Sequence, residues 1–135
     1  METPTKTLKF QYFFKDTYYI FYGFFILIII LGEKIMKIIT LCGSLKFKKE
    51  MMLIAEKMAL EGNCIITPVY PVQEKFERTD EQLEKLKEAH FKKIEMSDAI
   101  LVINVDNYIG KSTNLEIEYA KKLDKEIMYY TDLIQ

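Results

Sequence analysis

An α/β domain is predicted for residues 36–135: a three-layer, doubly wound (Rossmann-like or flavodoxin-like) parallel sheet of about four strands in the order 2-1-3-4. Three observations predict it. Short apolar runs alternate with stretches whose apolar residues recur at helical spacing, the strand-helix-strand order that builds parallel sheets with right-handed crossovers. One run, Asp98 to Asn104 (DAILVIN), is apolar without alternation, as a strand covered on both faces is. The polar, glycine-bearing turns Gly43 to Lys46 and Val105 to Thr113 follow the first and third runs. A 2-1-3-4 order brings both to the point where the chain reverses direction, where ligands of such sheets bind.

The elements follow in order. Ile38 to Cys42 (IITLC) is the first strand, ending at Gly43-Ser44. Phe47, Met51, Ile54, Ala55 and Met58 then mark one helical face. Ser44 is its expected N-cap and Gly62 its stop. Asn63 to Thr67 (NCIIT) is the second strand, and the loop Pro68 to Arg78 is too broken by proline for either regular structure. Thr79 and Gln82 have the spacing of a capping box, which opens a helix running to about Met96. After the third strand and its loop, a third helix is expected from about Asn114 to Leu123, and a last strand at Ile127 to Tyr130.

Residues 1–35 have a different composition. Tyr18 to Leu31 (YYIFYGFFILIIIL) is an uncharged run, shorter than the ~20 residues a bilayer usually requires and rich in aromatic and β-branched side chains. Two readings stand side by side. In one, the natural protein starts at Met36 and Gly32-Glu33-Lys34 reflects a purine-rich ribosome-binding sequence; in the other, residues 18–31 form a hydrophobic membrane anchor. Host-derived peptides between Thr7 and Lys34, detected by mass spectrometry, would sink the first.

Composition excludes several functions. The 135 residues (16.0 kDa) suit one domain with a core, and 19 basic against 20 acidic residues give a net charge of -1, so no global attraction to a nucleic acid polymer or to anionic lipid is expected. Cys42 and Cys64 fall at opposite ends of neighbouring strands, too far apart for a disulfide. With one histidine and no Cys-x-x-Cys pair, spacing reveals no zinc constellation, and no metal or cofactor is expected. The same features suggest a reducing, cytoplasmic setting unless the N-terminal run anchors the chain. No Walker A sequence or complete dinucleotide fingerprint occurs.

The candidate chemistry centres on Glu116. At ~100° per residue, Leu115, Tyr119, Leu123 and Ala120 share one apolar arc, and Glu116 projects from its middle, just past a strand's C-terminal end. A structural role competes, because Thr113-Asn114-Leu115-Glu116 also fits a capping box. Gly43 and Ser44 offer backbone N–H groups at a helix start, with Lys46, Lys48 and Lys49 nearby; an ordinary tight turn explains them equally well. In the loop Asp106 to Thr113, Gly110 permits close backbone approach, Lys111 supplies a cation, and Ser112 and Thr113 supply hydroxyl donors. His90 follows Leu83 and Leu86 and precedes Ile94 on one helical stripe, so it is either a satisfied boundary residue or a site residue. Tyr70 lies in the proline-flanked loop, where it could stack on a planar ligand.

These residues carry a resemblance. Gly43-Ser44 after the first strand, Ser97-Asp98-Ala99 opening the third, and the helix start Glu116-Ile117-Glu118-Tyr119-Ala120 resemble the nucleoside 2-deoxyribosyltransferase-like superfamily, which includes 2'-deoxynucleoside 5'-monophosphate N-glycosidases. The loop Tyr108 to Thr113 is similar to the Tyr-Ile-Gly-x-Ser-Thr segment of a small bacterial and phage branch. The resemblance implies that Glu116 is the nucleophile in cleavage or transfer at an N-glycosidic bond. It implies that Gly43, Ser44, Gly110, Ser112 and Thr113 hold the sugar hydroxyl or phosphate, with His90 near the substrate and Ser112 or Asn107 taking the part of the Asp or Ser that members carry at the position of Gly110. It also implies a nucleoside or nucleotide as small-molecule partner and a homodimer or larger assembly. Two positions depart from the family pattern: Glu118 replaces its glycine, and Gly110 stands where members have Asp or Ser. The alternative is a noncatalytic nucleotide-binding module of the same fold.

Overall fold

A computed structural model describes residues 18–29, 32, 35–73 and 77–134. The chain divides into two compact units, Met1–Ile35 and Met36–Gln135. In the first, residues 18–29 are helical, and no helix among the described residues is long and apolar enough to cross a membrane. The rest of the 18–31 run, and Glu33-Lys34 of the suggested ribosome-binding stretch, lie outside the described residues, as do residues 74–76 of the proline-broken loop.

The second unit contains strands β1 (Ile38–Cys42), β2 (Cys64–Ile66), β3 (Ala99–Val102) and β4 (Glu126–Tyr129). Its helices are α1 (Lys48–Leu60), α2 (Asp80–Met96), α3 (Lys111–Lys122) and the short α4 (Tyr130–Leu133). All strand pairs are parallel and the sheet order is β2-β1-β3-β4, the predicted topology. Every residue of β3 is buried, which explains its unalternating sequence.

Two core clusters separate the three layers. On one face, Ile39, Leu41, Ala99, Leu101 and Ile103 meet Met51, Ile54 and Met58 of α1, with Tyr130 and Leu133 packed alongside. On the other, Cys42, Ile100 and Val102 meet Ile94 of α2 and Ile117 and Ala120 of α3. Because side chains alternate along a strand, Ile39 and Leu41 face α1 while Thr40 and Cys42 face α2 and α3. Thr40 is satisfied on that buried side, its hydroxyl 2.6 Å from the Ser97 hydroxyl and 3.2 Å from the Lys93 carbonyl. Cys42, one step further along, reaches the end of the sheet where the cavity opens.

The helix ends obey local chemistry, with instructive exceptions. The Thr79–Gln82 capping box forms as predicted: Thr79 Oγ1 accepts from the Gln82 N–H and the Gln82 side chain accepts from the Thr79 N–H. Thr79→Ala is expected to cost ~1 kcal/mol, measured as a lower urea midpoint with unchanged slope. Helix α1 ends in a paired cap, Asn63 N–H to Met58 O and Gly62 N–H to Ala59 O, and Gly62 takes the φ of +88° this requires. Helix α3 closes the same way through Lys125 and Asp124, the latter at φ 52°. Ser44, in contrast, stands before only a 3-10 turn (Leu45–Phe47), makes no side-chain cap bond, and leaves Phe47 as the N-cap of α1.

The largest departure from expectation is the start of α3. It begins at Lys111, three residues early, because the Gly110 carbonyl already accepts from Asn114 N–H at 3.0 Å, which makes Gly110 the N-cap. Thr113 is then inside the helix and buried, so the Thr113–Glu116 capping box does not exist. Glu116 sits in the second turn rather than the first. The buried stripe is Thr113, Ile117 and Ala120, whereas Leu115 is 52% and Leu123 38% exposed. The expected apolar arc was thus misplaced, although Glu116 still borders the buried face. Glu118 pairs with Lys121 at 2.9 Å, one residue short of the Lys122 that helical spacing also allows.

Candidate active site

A cavity of about 800 Å³ opens at the C-terminal ends of the strands, where β1 and β3 send their chains to opposite faces of the sheet. Its wall joins the turn after β1 (Gly43, Ser44), the start of α3 (Gly110 to Thr113) and His90 and Glu116. Seven of the nine predicted site residues therefore converge: Gly43, Ser44, His90, Gly110, Ser112, Thr113 and Glu116. Asn107 and Tyr70 do not. Asn107 lies exposed in a 3-10 turn after β3, at φ 60° beside Asp106 at φ 50°, backbone values that Asn and Asp tolerate better than most residues. Tyr70 packs against the α1-side core, with Lys48 Nζ 5.4 Å from its ring centroid.

Aromatic contacts tie the two loops together. Lys46 Nζ sits 3.3 Å from the Tyr108 ring centroid, and Phe47 meets Tyr108 edge-on at 5.9 Å. These contacts hold the turn after β1 against the approach to α3. Gly43 is required by packing: a Cβ there would lie 2.9 Å from Met51 Cε and 3.0 Å from Ile103 Cβ. The turn can pass over the end of β3 only with a hydrogen at that position.

Three polar side chains meet at this wall, His90 and Glu116 lining it and Cys42 buried beside them, each from a different element. Cys42 ends β1, His90 lies midway along α2, and Glu116 lies on α3. Cys42 Sγ is 3.6 Å from His90 Nε2, and His90 Nε2 is 3.7 Å from Glu116 Oε1. The His90 and Glu116 side chains are only 12% and 16% exposed, and Glu116 Oε2 is buried without a hydrogen-bond partner among the described residues. Cys42, absent from the sequence-based list, completes the group. Its signal was the strand alternation, since Thr40 and Cys42 share the face turned toward α2 and α3. Spacing along the chain could not reveal a donor cluster drawn from three elements.

Burial sets the protonation of this group. It pushes the Glu116 carboxyl up to about 7, against a smaller lowering by the Cys42 thiol, and it pushes the Cys42 thiol well above its ordinary value. His90 is held down at about 4, first by burial and then by the Lys93 cation. Near neutrality the imidazole is uncharged, so it cannot neutralise the carboxylate as a full ion pair. Glu116 is therefore a mostly buried carboxyl whose titration is shifted toward neutrality on the wall of a cavity, a perturbation that clusters at functional sites.

Helix α3 supplies the second chemical feature. With Gly110 as an N-cap that makes no side-chain cap bond, the first-turn N–H groups of a 12-residue helix lie at the cavity wall beside the Lys111 and Ser112 side chains. Such a terminus favours an anion or a hydroxyl oxygen.

No family model matches the sequence, and no curated protein matches it. Among solved structures, the fold is similar to that of a 2-desoxiribosyltransferase from Leishmania mexicana, with a TM-score of 0.47 and 17% identity. The match covers 70% of this chain and 63% of that one, so the chain spans less than two thirds of that protein's length.

Proposed function

We propose that residues 36–135 cleave or transfer at the N-glycosidic bond of 2'-deoxynucleosides or their 5'-monophosphates, with Glu116 as nucleophile. The observation that carries this reading is the placement of Glu116: a mostly buried carboxylate, one oxygen unpartnered among the described residues, on the wall of a cavity roomy enough for a nucleotide at the switch point of the sheet. The likeness of Glu116 to Ala120 to the deoxyribosyltransferase pattern supplies the reaction class. With the capping box absent, Glu116 has no capping task at the start of its helix.

In the proposed reaction a Glu116 oxygen attacks the anomeric carbon while the carbon–nitrogen bond breaks, its electron pair leaving on the base, which takes a proton from solvent. The product is a glycosyl ester of Glu116. Water or a second base then attacks the same carbon and releases the carboxylate. The carboxylate also stabilises positive charge developing on the sugar, an interaction strengthened by exclusion of water. His90, uncharged at neutral pH and 3.7 Å from Glu116, contacts the sugar instead of acting as a proton donor. Gly43, Ser44 and the N-terminus of α3 with Ser112 hold the sugar hydroxyl or the 5'-phosphate. The implied homodimer or larger assembly belongs to the same proposal and is checked by light scattering of the full chain.

Chromatography of deoxynucleosides and their monophosphates incubated with the protein tests the reading. Free base, or exchanged base when a second base is present, is the expected result; nucleotide binding by calorimetry with no turnover would favour the sensing module instead. The pH profile is a second test. Because the nucleophile must be ionised, kcat/KM should fall about tenfold per pH unit below about 7 and level off above it. A profile flat from pH 5 to 8 would exclude Glu116 as the group whose ionisation limits the rate.

A further inference from the structure

We infer that Cys42, His90 and Glu116 form a binding site for a divalent transition-metal cation of the zinc class, and that such an ion, once bound, takes the Glu116 carboxylate out of catalysis. The inhibitory part rests on the proposed role of Glu116; the metal site itself does not. Its basis is the convergence of a thiol, an imidazole nitrogen and a carboxylate oxygen, all within 4.8 Å of one another.

The donor geometry fits. Bonds of 2.0–2.3 Å in a tetrahedral zinc site place neighbouring ligand atoms roughly 3.3–3.6 Å apart. Cys42 Sγ to His90 Nε2 is 3.6 Å and His90 Nε2 to Glu116 Oε1 is 3.7 Å. The first spacing is that of ligands around a shared ion and equally that of a thiol hydrogen bond, whereas the second is slightly longer than a ligand pair and too long for a good hydrogen bond. The imidazole thus stands between two donors without a strong bond to either, and Glu116 retains an unpartnered buried oxygen.

The charge balance fits as well. Binding releases the Cys42 proton, and the Glu116 proton where present, to solvent, leaving thiolate, carboxylate, neutral imidazole and a dication. The sum is zero, which suits a buried place where an uncompensated charge would be costly. The ligands are held by three elements of the core, a preformed arrangement. His90 and Glu116 line the cavity, so the fourth position faces it and remains open to water or to a ligand. A thiolate ligand selects zinc-class ions over magnesium or calcium.

Cobalt(II) added to the chelator-treated full chain is the direct probe. One equivalent should give a thiolate-to-cobalt charge-transfer band and the visible bands of a four-coordinate ion, and zinc should displace it. Cys42→Ser should lose the charge-transfer band, whereas Cys64→Ser, which alters the exposed thiol at the far end of β2, should keep it. No band, or a band that survives in Cys42→Ser, overturns the site. Saturating zinc should abolish base release, and a chelator should restore it. Base release that persists with the metal bound overturns the inhibitory assignment. A chain that gives the cobalt spectrum yet cleaves no deoxynucleoside supports the metal site and sinks the glycosidase reading. Base release without any cobalt or zinc binding does the reverse.

Discussion

Glu116→Gln is expected to lower kcat for base release by ~10³-fold or more while making the folded domain more stable above neutral pH. The two effects share one cause. The amide keeps the shape of the side chain but cannot attack the anomeric carbon or carry the charge that steadies the sugar cation, so the chemical step loses its nucleophile. The ionised carboxylate is also an expense to the fold, since burial raises it from 4.5 to about 7. For an acid raised in the folded state, the associated stability is full below pH 4.5 and is lost as pH rises to about 7. At pH 8 the loss amounts to about 3 kcal/mol. Gln carries no such charge. Its stability gain over the parent should therefore be near zero at pH 4, grow between pH 4.5 and 7, and level off above, as read from urea midpoints across that range. A variant that is inactive but equally destabilised at every pH would show that Glu116 serves the packing of α3 instead.

The second large effect is expected at Gly43. Gly43→Ala should destabilise the domain by ~1–3 kcal/mol and raise KM, because the added methyl meets Ile103 Cβ at 3.0 Å and the Ile103 carbonyl at 3.3 Å, as well as Met51 Cε at 2.9 Å. Met51 can swing its terminal methyl aside only within a filled core, since it is fully buried. Ile103 is anchored more firmly still. Its N–H donates to the Cys42 carbonyl at 2.8 Å, extending the β1–β3 ladder past Val102, so relief has to come from the turn itself. That turn carries Ser44 on the cavity wall, and shifting it moves that side of the pocket. Equilibrium unfolding and substrate-concentration curves separate the two consequences. Unchanged stability would mean that the turn has slack, and unchanged KM that Ser44 does not meet the substrate.

The sheet was legible in the sequence because each strand obeyed a single dominant rule. The apolar Ala99–Val102 segment had no polar face to offer solvent, and Ile38–Cys42 ended at a glycine whose reason proved to be packing under Ile103. The Thr79–Gln82 box was readable because both of its bonds lie within four residues. The start of α3 was not. Thr113 and Glu116 have capping spacing, but Gly110 offers the earlier cap, and the burial of Thr113 against the sheet extends the helix back to it. That choice is tertiary, and local propensity does not encode it. The site shows the same division. Glu116 and His90 were found as polar groups on apolar stripes, whereas Cys42 looked like an ordinary core residue until strand alternation and two helices set it beside them. Asn107 was a candidate stand-in for the Asp or Ser that the resembled family carries at the position of Gly110, yet it lies exposed in the turn after β3, off the cavity wall.

The covalent intermediate is the most direct test of the account. The protein is incubated with a 2'-deoxy-2'-fluoro nucleoside, whose fluorine destabilises the sugar cation and slows turnover of the glycosyl-enzyme, and is then examined by intact-mass and peptide mass spectrometry. The account predicts a chain heavier by one fluorodeoxypentosyl group, with the label on the peptide bearing Glu116 and absent from Glu116→Gln. Release of base from an unlabelled chain, or a label on any other side chain, would contradict it.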